Sequence, residues 1–242
     1  MIAFVRSKCQ VFQPFKDKKD FFNLLAFSIL GMFLVQFTYF KTIELSNASF
    51  ATIVQYTGPF FVVLYESLKA KKMPSFVTLF LMEITLFGVI LIASKGEILT
   101  VFTSRDSLVW GMGSAIALAF YSIQPRNLLR KYDSFTIVGW GMVFGSVIAN
   151  CFHPIWQVDG MITRESFVQL LIVVLFGTAI AYLIYLSSLK FISASLASIL
   201  TAFEPILATV LSVLFFHLTF SWLEIIGFIF VLGSILFLQK RV

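Results

Sequence analysis

The sequence has very few charged residues, which sets it apart from water-soluble proteins. Only 12% of its 242 residues are Asp, Glu, Lys or Arg, whereas 59% are hydrophobic. A soluble domain has about 25% charged and about 45–50% apolar residues. A chain this apolar cannot enclose its hydrophobic residues in one core and still present a polar surface. A soluble globule and a disordered chain are therefore both excluded.

The sequence also lacks the motifs of several enzyme and cofactor classes. Its two cysteines are too few for a disulfide framework, and its two histidines, His153 and His217, have no partner at metal-ligand spacing. It contains no Gly-x4-Gly-Lys-Ser/Thr phosphate loop and no His-Glu-x-x-His motif. We therefore predict no metal, no cofactor, no catalytic residue and no ATP-driven transport by this chain alone. An intramembrane enzyme would need a nucleophile beside a base, and the sequence offers no such constellation.

Apolar runs of helical length fill most of the chain. A transmembrane α-helix needs about 20 predominantly apolar residues. Eight such runs are separated by short polar breaks, at residues 21–44, 48–68, 76–94, 108–128, 135–156, 167–189, 194–216 and 221–239. The runs are continuous rather than alternating, which favours helices over a membrane barrel. The predicted fold is an all-α polytopic membrane protein with about eight transmembrane helices.

The basic residues are concentrated on one predicted side of the membrane. Residues 1–20 form a basic segment with no long apolar stretch; if this segment is cytoplasmic, 14 of the 18 Lys and Arg residues lie on that side. The positive-inside rule then predicts a multi-pass protein of the cell membrane with both termini in the cytoplasm. Anionic lipid at that surface accounts for the net charge of +6, so we expect the lipid bilayer as a partner and no nucleic acid.

The sequence contains a weak internal repeat. Residues 21–96 align without a gap with residues 167–242, at an offset of 146 and with 13 identities. The matches pair Gly31 with Gly177, Tyr39 with Tyr185, Pro59 with Pro205, Ser75 with Ser221, and Ala48, Ser49, Ala51 and Ile53 with Ala194, Ser195, Ala197 and Ile199. The copies begin five predicted spans apart, an odd number, so the second would be inverted, as in many secondary transporters. A chance match between apolar helices is the alternative.

Several segments resemble the EamA domains of the drug/metabolite transporter superfamily. They are residues 39–49 with Gln55–Pro59, residues 185–195 with Phe203–Pro205, residues 119–125 and residues 138–142. The resemblance implies two inverted five-helix repeats around a central cavity, a ten-helix (5+5) fold. Residues 21–96 would then be the last three helices of the first repeat, and residues 108–242 the five helices of the second.

Two departures from the family pattern stand out. The first two family helices have no counterpart beyond residues 2–6, and a common Gly-Glu after the ninth family helix is replaced by Phe216-His217.

The resemblance implies a secondary permease or exporter of small organic metabolites in the bacterial inner membrane, driven by a proton (H+) or substrate gradient, with alternating access at a midplane cavity. The alternative is a truncated, non-transporting remnant, or a membrane subunit that needs a partner chain or a second copy of itself. A late start codon would also explain the missing helices.

Glu204 is the first candidate for the site. It lies ten residues into the seventh predicted span, about 15 Å deep, next to the helix-breaking Pro205. A carboxylate at that depth costs at least about 2.5–3.5 kcal/mol unless it is protonated or partnered. We predict a substrate contact or a proton carrier; the alternative is a structural acid.

Neutral polar side chains complete the predicted cavity. Gln55 and Tyr56 precede Pro59, the second predicted helix break, and Tyr121 and Gln124 share one helix face. The full set of predicted cavity residues is Glu204, Gln55, Tyr56, Tyr121, Gln124, Gln36 and Tyr182. The alternative for the tyrosines is an interfacial aromatic belt. For Glu83 the prediction is a carboxyl satisfied between helices, with a functional role as the alternative. For Glu44, Glu66 and Glu224 the prediction is interfacial solvation.

Overall fold

The computed structural model describes residues 11–94, 105–157, 163–216 and 221–239, and within these ranges the chain is helical with no strand. The helices are α1 (Lys18–Leu45), α2 (Ala48–Gln55), α3 (Gly58–Ala70), α4 (Phe76–Ser94), α5 (Arg105–Ile123), α6 (Arg126–Lys131), α7 (Ser134–Phe152), α8 (Arg164–Ser188), α9 (Ala194–Leu200), α10 (Phe203–Phe216) and α11 (Trp222–Gln239). Residues 2–6, His217 and the C-terminal basic residues, which entered the predictions above, lie outside the described residues.

Seven described segments are long and apolar enough to cross a membrane. They are Lys18–Leu45, Ala48–Ala70, Phe76–Ser94, Arg105–Lys131, Ser134–Phe152, Arg164–Ser188 and Ala194–Leu211, and a shorter apolar helix covers Trp222–Phe237. Each coincides, to within a few residues, with one of the eight predicted spans. The prediction of an all-α polytopic membrane protein is confirmed.

Helix N-termini recur at the repeat spacing. The Asn47 side chain accepts the Phe50 N–H (2.8 Å), and the Ser193 hydroxyl accepts the Leu196 N–H (3.1 Å). Ser75 caps α4 and Ser221 caps α11 in the same way. Each pair of caps lies 146 residues apart. Several matches of the alignment therefore fall at positions where a helix begins.

Glu224 differs from its sequence interpretation. Its side chain is 4% exposed, and its carboxylate accepts the backbone N–H of Ser221 (2.7 Å) while the Ser221 hydroxyl accepts the Glu224 N–H. This reciprocal arrangement is a capping box, which satisfies two N–H groups that have no partner within the helix. The prediction that Glu224 is merely solvated at a span end was wrong.

Two helices contain a π-helical segment at the same repeat position. In α1 the segment is Phe27–Phe33, and in α8 it is Val173–Ile180. Their first residues are 146 apart, and they contain the matched Gly31 and Gly177. Segments of π-helix inside α-helices are rare and are frequent at functional sites.

The chain divides into two compact units. The first consists of residues up to Phe33 together with Tyr121–Ile192. In it, the buried Asp20 carboxylate accepts from Lys131 Nζ (2.8 Å) and from the Tyr132 hydroxyl (2.7 Å). Burial and the hydrogen bond to this carboxylate raise the pKa of Tyr132 to about 12. This cluster joins the beginning of α1 to the end of α6.

The second unit consists of Leu34–Phe120 and the residues from Ser193 onwards. Its hydrophobic core is formed by residues of α3, α4, α9, α10 and α11, and we call the packed helices α4 and α11 the closed pair. Thr85 Oγ1 lies 2.6 Å from Ser234 Oγ, whereas Gly88, further along α4, faces Gly227, which comes earlier on α11. The two helices therefore run antiparallel. A Cβ added to Gly227 would lie 2.7 Å from the Gly88 carbonyl oxygen, so the backbones touch.

Candidate functional site

The second unit also contains two interrupted helices, α2–α3 and α9–α10, which we call the broken pair. Pro59 lies in the first turn of α3 and Pro205 in the first turn of α10. A proline has no N–H to donate to the carbonyl four residues earlier, so it is tolerated in a first turn and interrupts a continuous helix. At Pro205 the carbonyl four residues earlier belongs to Thr201, and an external donor reaches it.

That donor is Tyr56, at the end of α2. Its hydroxyl donates to the Thr201 carbonyl oxygen (2.9 Å) and to Glu204 Oε2 (3.2 Å). The Tyr56 side chain is buried, whereas Glu204 is exposed. The carboxylate is thus held from one side by a buried phenol and keeps its other lone pairs accessible. This arrangement can accept a proton, a cation or a hydrogen-bond donor.

A second contact joins the same helices nearer the end of α3. The backbone N–H of Ser195 (3.3 Å) and its hydroxyl both donate to Glu66 Oε2. Tyr56 meets Glu204 at one contact, and ten residues later Glu66 meets Ser195, so the broken pair also runs antiparallel. The prediction that Glu66 is explained by solvation at a span end was wrong, because its carboxylate binds the first turn of α9.

The other predicted polar residues of this unit lie around α1, α2 and α5. Gln55 Nε2 donates to Ser114 Oγ (2.7 Å), and Ser114 Oγ lies 3.4 Å from the Val35 carbonyl oxygen. Gln36, the neighbour of Val35, is half-buried on α1. The amide of Gln55 is therefore anchored on α5 by a group that also reaches α1.

A small cavity lies next to Tyr56. It is lined by Tyr56, Pro59, Phe60, Met82, Thr85, Leu86, Val89, Ile199 and Ala202. Its volume of about 20 Å³ suits a single water molecule rather than a metabolite. The cavity separates the proline break of α3 from the closed pair.

The first unit contains an aromatic cluster at the end of α5. The Tyr121 ring is stacked on Phe27 (centroids 5.7 Å apart) and on Tyr185 (5.5 Å), and it meets Tyr182 at 5.6 Å. Gln124 Nε2 donates to the Asn23 carbonyl oxygen (2.8 Å). Two buried atoms here, the Tyr121 hydroxyl and Gln124 Oε1, have no hydrogen-bond partner in the described part of the chain.

The structure thus brings some predicted residues together within each unit. It pairs Tyr56 with Glu204 in the second unit and Tyr121 with Tyr182 in the first. The single cavity predicted for all seven residues draws on both units and stays a prediction. Glu83 is exposed on α4, so its interpretation as a carboxyl satisfied between helices was wrong. No group of three or more His, Cys, Asp or Glu residues that could hold a metal ion occurs among the described residues.

Known proteins similar to this chain are membrane transporters. The EamA-like transporter family matches residues 2–94 and 107–239. A Salmonella typhimurium protein named "Uncharacterized inner membrane transporter YicL" is 31% identical over 230 residues, which are 95% of this chain and 77% of that protein. An "Uncharacterized transporter" of Clostridium kluyveri is 26% identical, over 88% of this chain and 69% of its own length.

Two more distant similarities extend the comparison. A "Probable sugar phosphate/phosphate translocator" of Arabidopsis thaliana is 24% identical over 80% of this chain, which spans about half (51%) of that protein. A protein of known crystal structure, 18% identical in sequence, superposes with a TM-score of 0.76 over 90% of this chain and 76% of its own. At that identity the structural similarity concerns the fold alone.

Proposed function

Because this chain belongs to the EamA-like transporter family, we propose that it is a secondary transporter of small organic metabolites in the bacterial inner membrane, working by alternating access. The family and its relatives are membrane transporters, which accounts for the bilayer and for a small-molecule substrate. The observation that carries the finer proposal is the contact of Tyr56 with Glu204, where the two interrupted helices cross.

Glu204 is the proposed centre for the substrate or for a coupled proton. It is an ionisable group within a predicted span, where an unpartnered charge costs at least about 2.5 kcal/mol. Tyr56, a neutral donor, orients the carboxylate without neutralising it. A carboxylate that binds either a proton or a hydrogen-bonding substrate couples the binding of the two.

Antiparallel packing of equivalent helices supports the proposed inverted repeat. At the offset of 146, α4 corresponds to α11, and α2–α3 corresponds to α9–α10. Both pairs run antiparallel within the second unit. The helix caps and the π-helical segments recur at the same offset. Secondary transporters built from inverted repeats place their sites at interrupted helices.

The first unit supplies groups suited to the substrate rather than to the proton. The Tyr121 hydroxyl and Gln124 Oε1 are buried acceptors without a partner among the described residues. Leaving such groups unpaired is costly, so a substrate that carries N–H or O–H donors would gain by meeting them. Tyr182 adds an aromatic surface for an apolar part of the same molecule. In this proposal Gln36 and Gln55 are further polar contacts.

Vesicle transport with a pH gradient tests the proposal. Proteoliposomes that contain the full chain are supplied with a bacterial metabolite extract, and mass spectrometry identifies the compounds that accumulate when a pH gradient is imposed. We expect Glu204→Gln to abolish this gradient-driven accumulation. Glu83→Gln is the matched control, because it removes another exposed carboxyl from a predicted span. Equal accumulation by wild type and Glu204→Gln would exclude Glu204 from the coupling.

A membrane subunit that requires a partner is the second candidate. One observation favours it: no residue is buried in the most apolar 18-residue stretch of α8. Lipid covers such a helix in a monomer, whereas a partner chain or a second copy would cover it in an assembly. Native mass spectrometry from lipid nanodiscs separates the cases, since a monomer that transports in vesicles would exclude an obligatory partner.

A further inference from the structure

The broken pair is held together at two levels, and only one of them contains Glu204. The first level is Tyr56 with Thr201 and Glu204, and the second is Glu66 with Ser195. Ten residues of helix separate Tyr56 from Glu66, a distance of about 15 Å along the axis. The second level is thus remote from the proposed site and lies at the end of α3 that carries Lys69.

The Glu66 contact is strong for its position. One carboxylate oxygen accepts both the backbone N–H and the hydroxyl of Ser195. Ser195 is in the first turn of α9, where the N–H groups have no partner within the helix. Hydrogen bonds to a charged acceptor are about twice as strong as neutral ones. Separating α3 from α9 at this end must break all of these interactions.

The repeat equivalent of Glu66 is not an acidic residue in the sequence. The repeat offset of 146 relates Ser195 to Ser49 and Glu66 to Ser212. An inverted repeat would bring those two positions together at the other end of the crossing. Serine carries no charge, so the sequence places no carboxylate at these equivalent positions. The two ends of the pair therefore differ in the strength with which they can be held.

We propose that Glu66 is a positioning residue of transport: its contact with Ser195 is a latch that keeps the Lys69 end of the broken pair closed and biases the transporter towards opening at the other end. The proposal rests on the alternating-access function proposed above. Removing the latch shifts the equilibrium towards states that are open at the Lys69 end. A two-state equilibrium of this kind responds directly to the lost interaction energy.

Cysteine accessibility tests the latch without knowledge of the substrate. In a chain with Cys9 and Cys151 replaced by Ser, one reporter is Ser198→Cys, at a position that is 2% exposed and one turn from Ser195. The second reporter is Thr52→Cys, its repeat equivalent near the other end of the crossing. The rate of modification by a maleimide is measured for each reporter in lipid nanodiscs, which leave both faces accessible.

With Glu66→Gln we expect the reporter at 198 to react about tenfold faster and the reporter at 52 to react more slowly. Glu66→Asp should act like Glu66→Gln, because the shorter side chain keeps the charge but loses the reach. Ser195→Ala should give a smaller effect in the same direction, since its backbone N–H remains. Glu44→Gln is the matched control: it removes an exposed carboxylate that pairs with Lys41, and it should change neither rate.

Three outcomes would overturn the latch. They are unchanged rates with Glu66→Gln, an equal change with Glu44→Gln, and faster reaction at both reporters, which would mean general loosening. Should Glu66→Gln fail to fold, as judged by size-exclusion chromatography, Ser195→Ala and Glu66→Asp give the same comparison. The proposed function fails separately, through unaltered coupling with Glu204→Gln, because the labelling experiment requires no transport.

Discussion

The closed pair and the broken pair are both crossings of repeat-equivalent helices in one unit, yet they are built in opposite ways. In the closed pair, Gly88 and Gly227 bring two continuous backbones into contact, and a hydroxyl pair, Thr85 and Ser234, is fully enclosed. In the broken pair, prolines interrupt both helices, and the hydrogen bonds across the crossing are made by long side chains such as Tyr56 and Glu66, beside apolar residues that belong to the common core.

The difference teaches how one repeat can supply both a rigid part and a movable part. Close backbone packing has many small van der Waals contacts, and each loses about a quarter to a half of its energy when the helices separate by about 0.5–1 Å. Contacts made by long side chains at helix breaks can be broken one at a time and remade with water, protons or substrate. We expect the closed pair to determine stability and the broken pair to determine transport.

The largest effect on stability is expected for Gly227→Ala. The new Cβ would lie 2.7 Å from the Gly88 carbonyl oxygen and 2.8 Å from Ile92 Cγ1, and a backbone oxygen cannot rotate away. Forcing the closed pair apart should cost about 3 kcal/mol, at the upper end of the range typical of overpacking. The measurement is the thermal unfolding midpoint in detergent, read by tryptophan fluorescence. An unchanged midpoint would show that the closed pair is not rigid.

These two crossings also show how far the sequence could be interpreted alone. Spans follow from runs of apolar residues, and the breaks of the broken pair are visible at Pro59 and Pro205, because a missing N–H is a local property of the chain. The capping box of Ser221 and Glu224 has a recognisable Ser-x-x-Glu spacing, which the sequence interpretation overlooked.

Other features have no local signature. The contact of Gly88 with Gly227 and that of Glu66 with Ser195 join residues more than 120 positions apart, and each depends on which helix faces are brought together. The π-helical segments at Phe27–Phe33 and Val173–Ile180 also follow from packing rather than from composition. For this reason Glu204 could be selected by its depth in the span, whereas its partner Tyr56 was only one of several neutral candidates.

A smaller effect is expected for Thr85→Val. The substitution keeps the shape of the side chain but removes a hydroxyl that lies 2.6 Å from Ser234 Oγ. Ser234 keeps the Phe230 carbonyl as an acceptor (2.7 Å), so its hydroxyl is not left without a partner. We expect a loss of about 1–1.5 kcal/mol in unfolding free energy and unchanged coupling in the vesicle assay. Altered coupling with normal stability would contradict the separation of roles.

Tyr56→Phe should lower transport more than stability, which is the opposite of the result expected for Thr85→Val. The ring still fills its buried site, and the exposed Glu204 carboxylate can exchange the lost hydrogen bond for water. The Thr201 carbonyl also loses the Tyr56 hydroxyl but keeps the Glu204 N–H (2.9 Å), so we expect at most about 1 kcal/mol of destabilisation. Because the carboxylate is no longer oriented, gradient-driven accumulation should fall several-fold. Tyr39→Phe, which removes a hydroxyl paired with Thr52, is the matched control.

The smallest effect, and the only stabilising one, is expected for Gly233→Ala. Gly233 is in the same helix as Gly227, but a Cβ at this position would meet no atom within 4 Å. Alanine in a helix interior is favoured over glycine by about 0.5–1 kcal/mol, mainly because it restricts the unfolded chain. The unfolding midpoint should therefore rise slightly, in contrast to its fall with Gly227→Ala. If both substitutions lowered it equally, the loss would reflect an intolerance of α11 to any added side chain, and contact with Gly88 would no longer explain the rigidity of the closed pair.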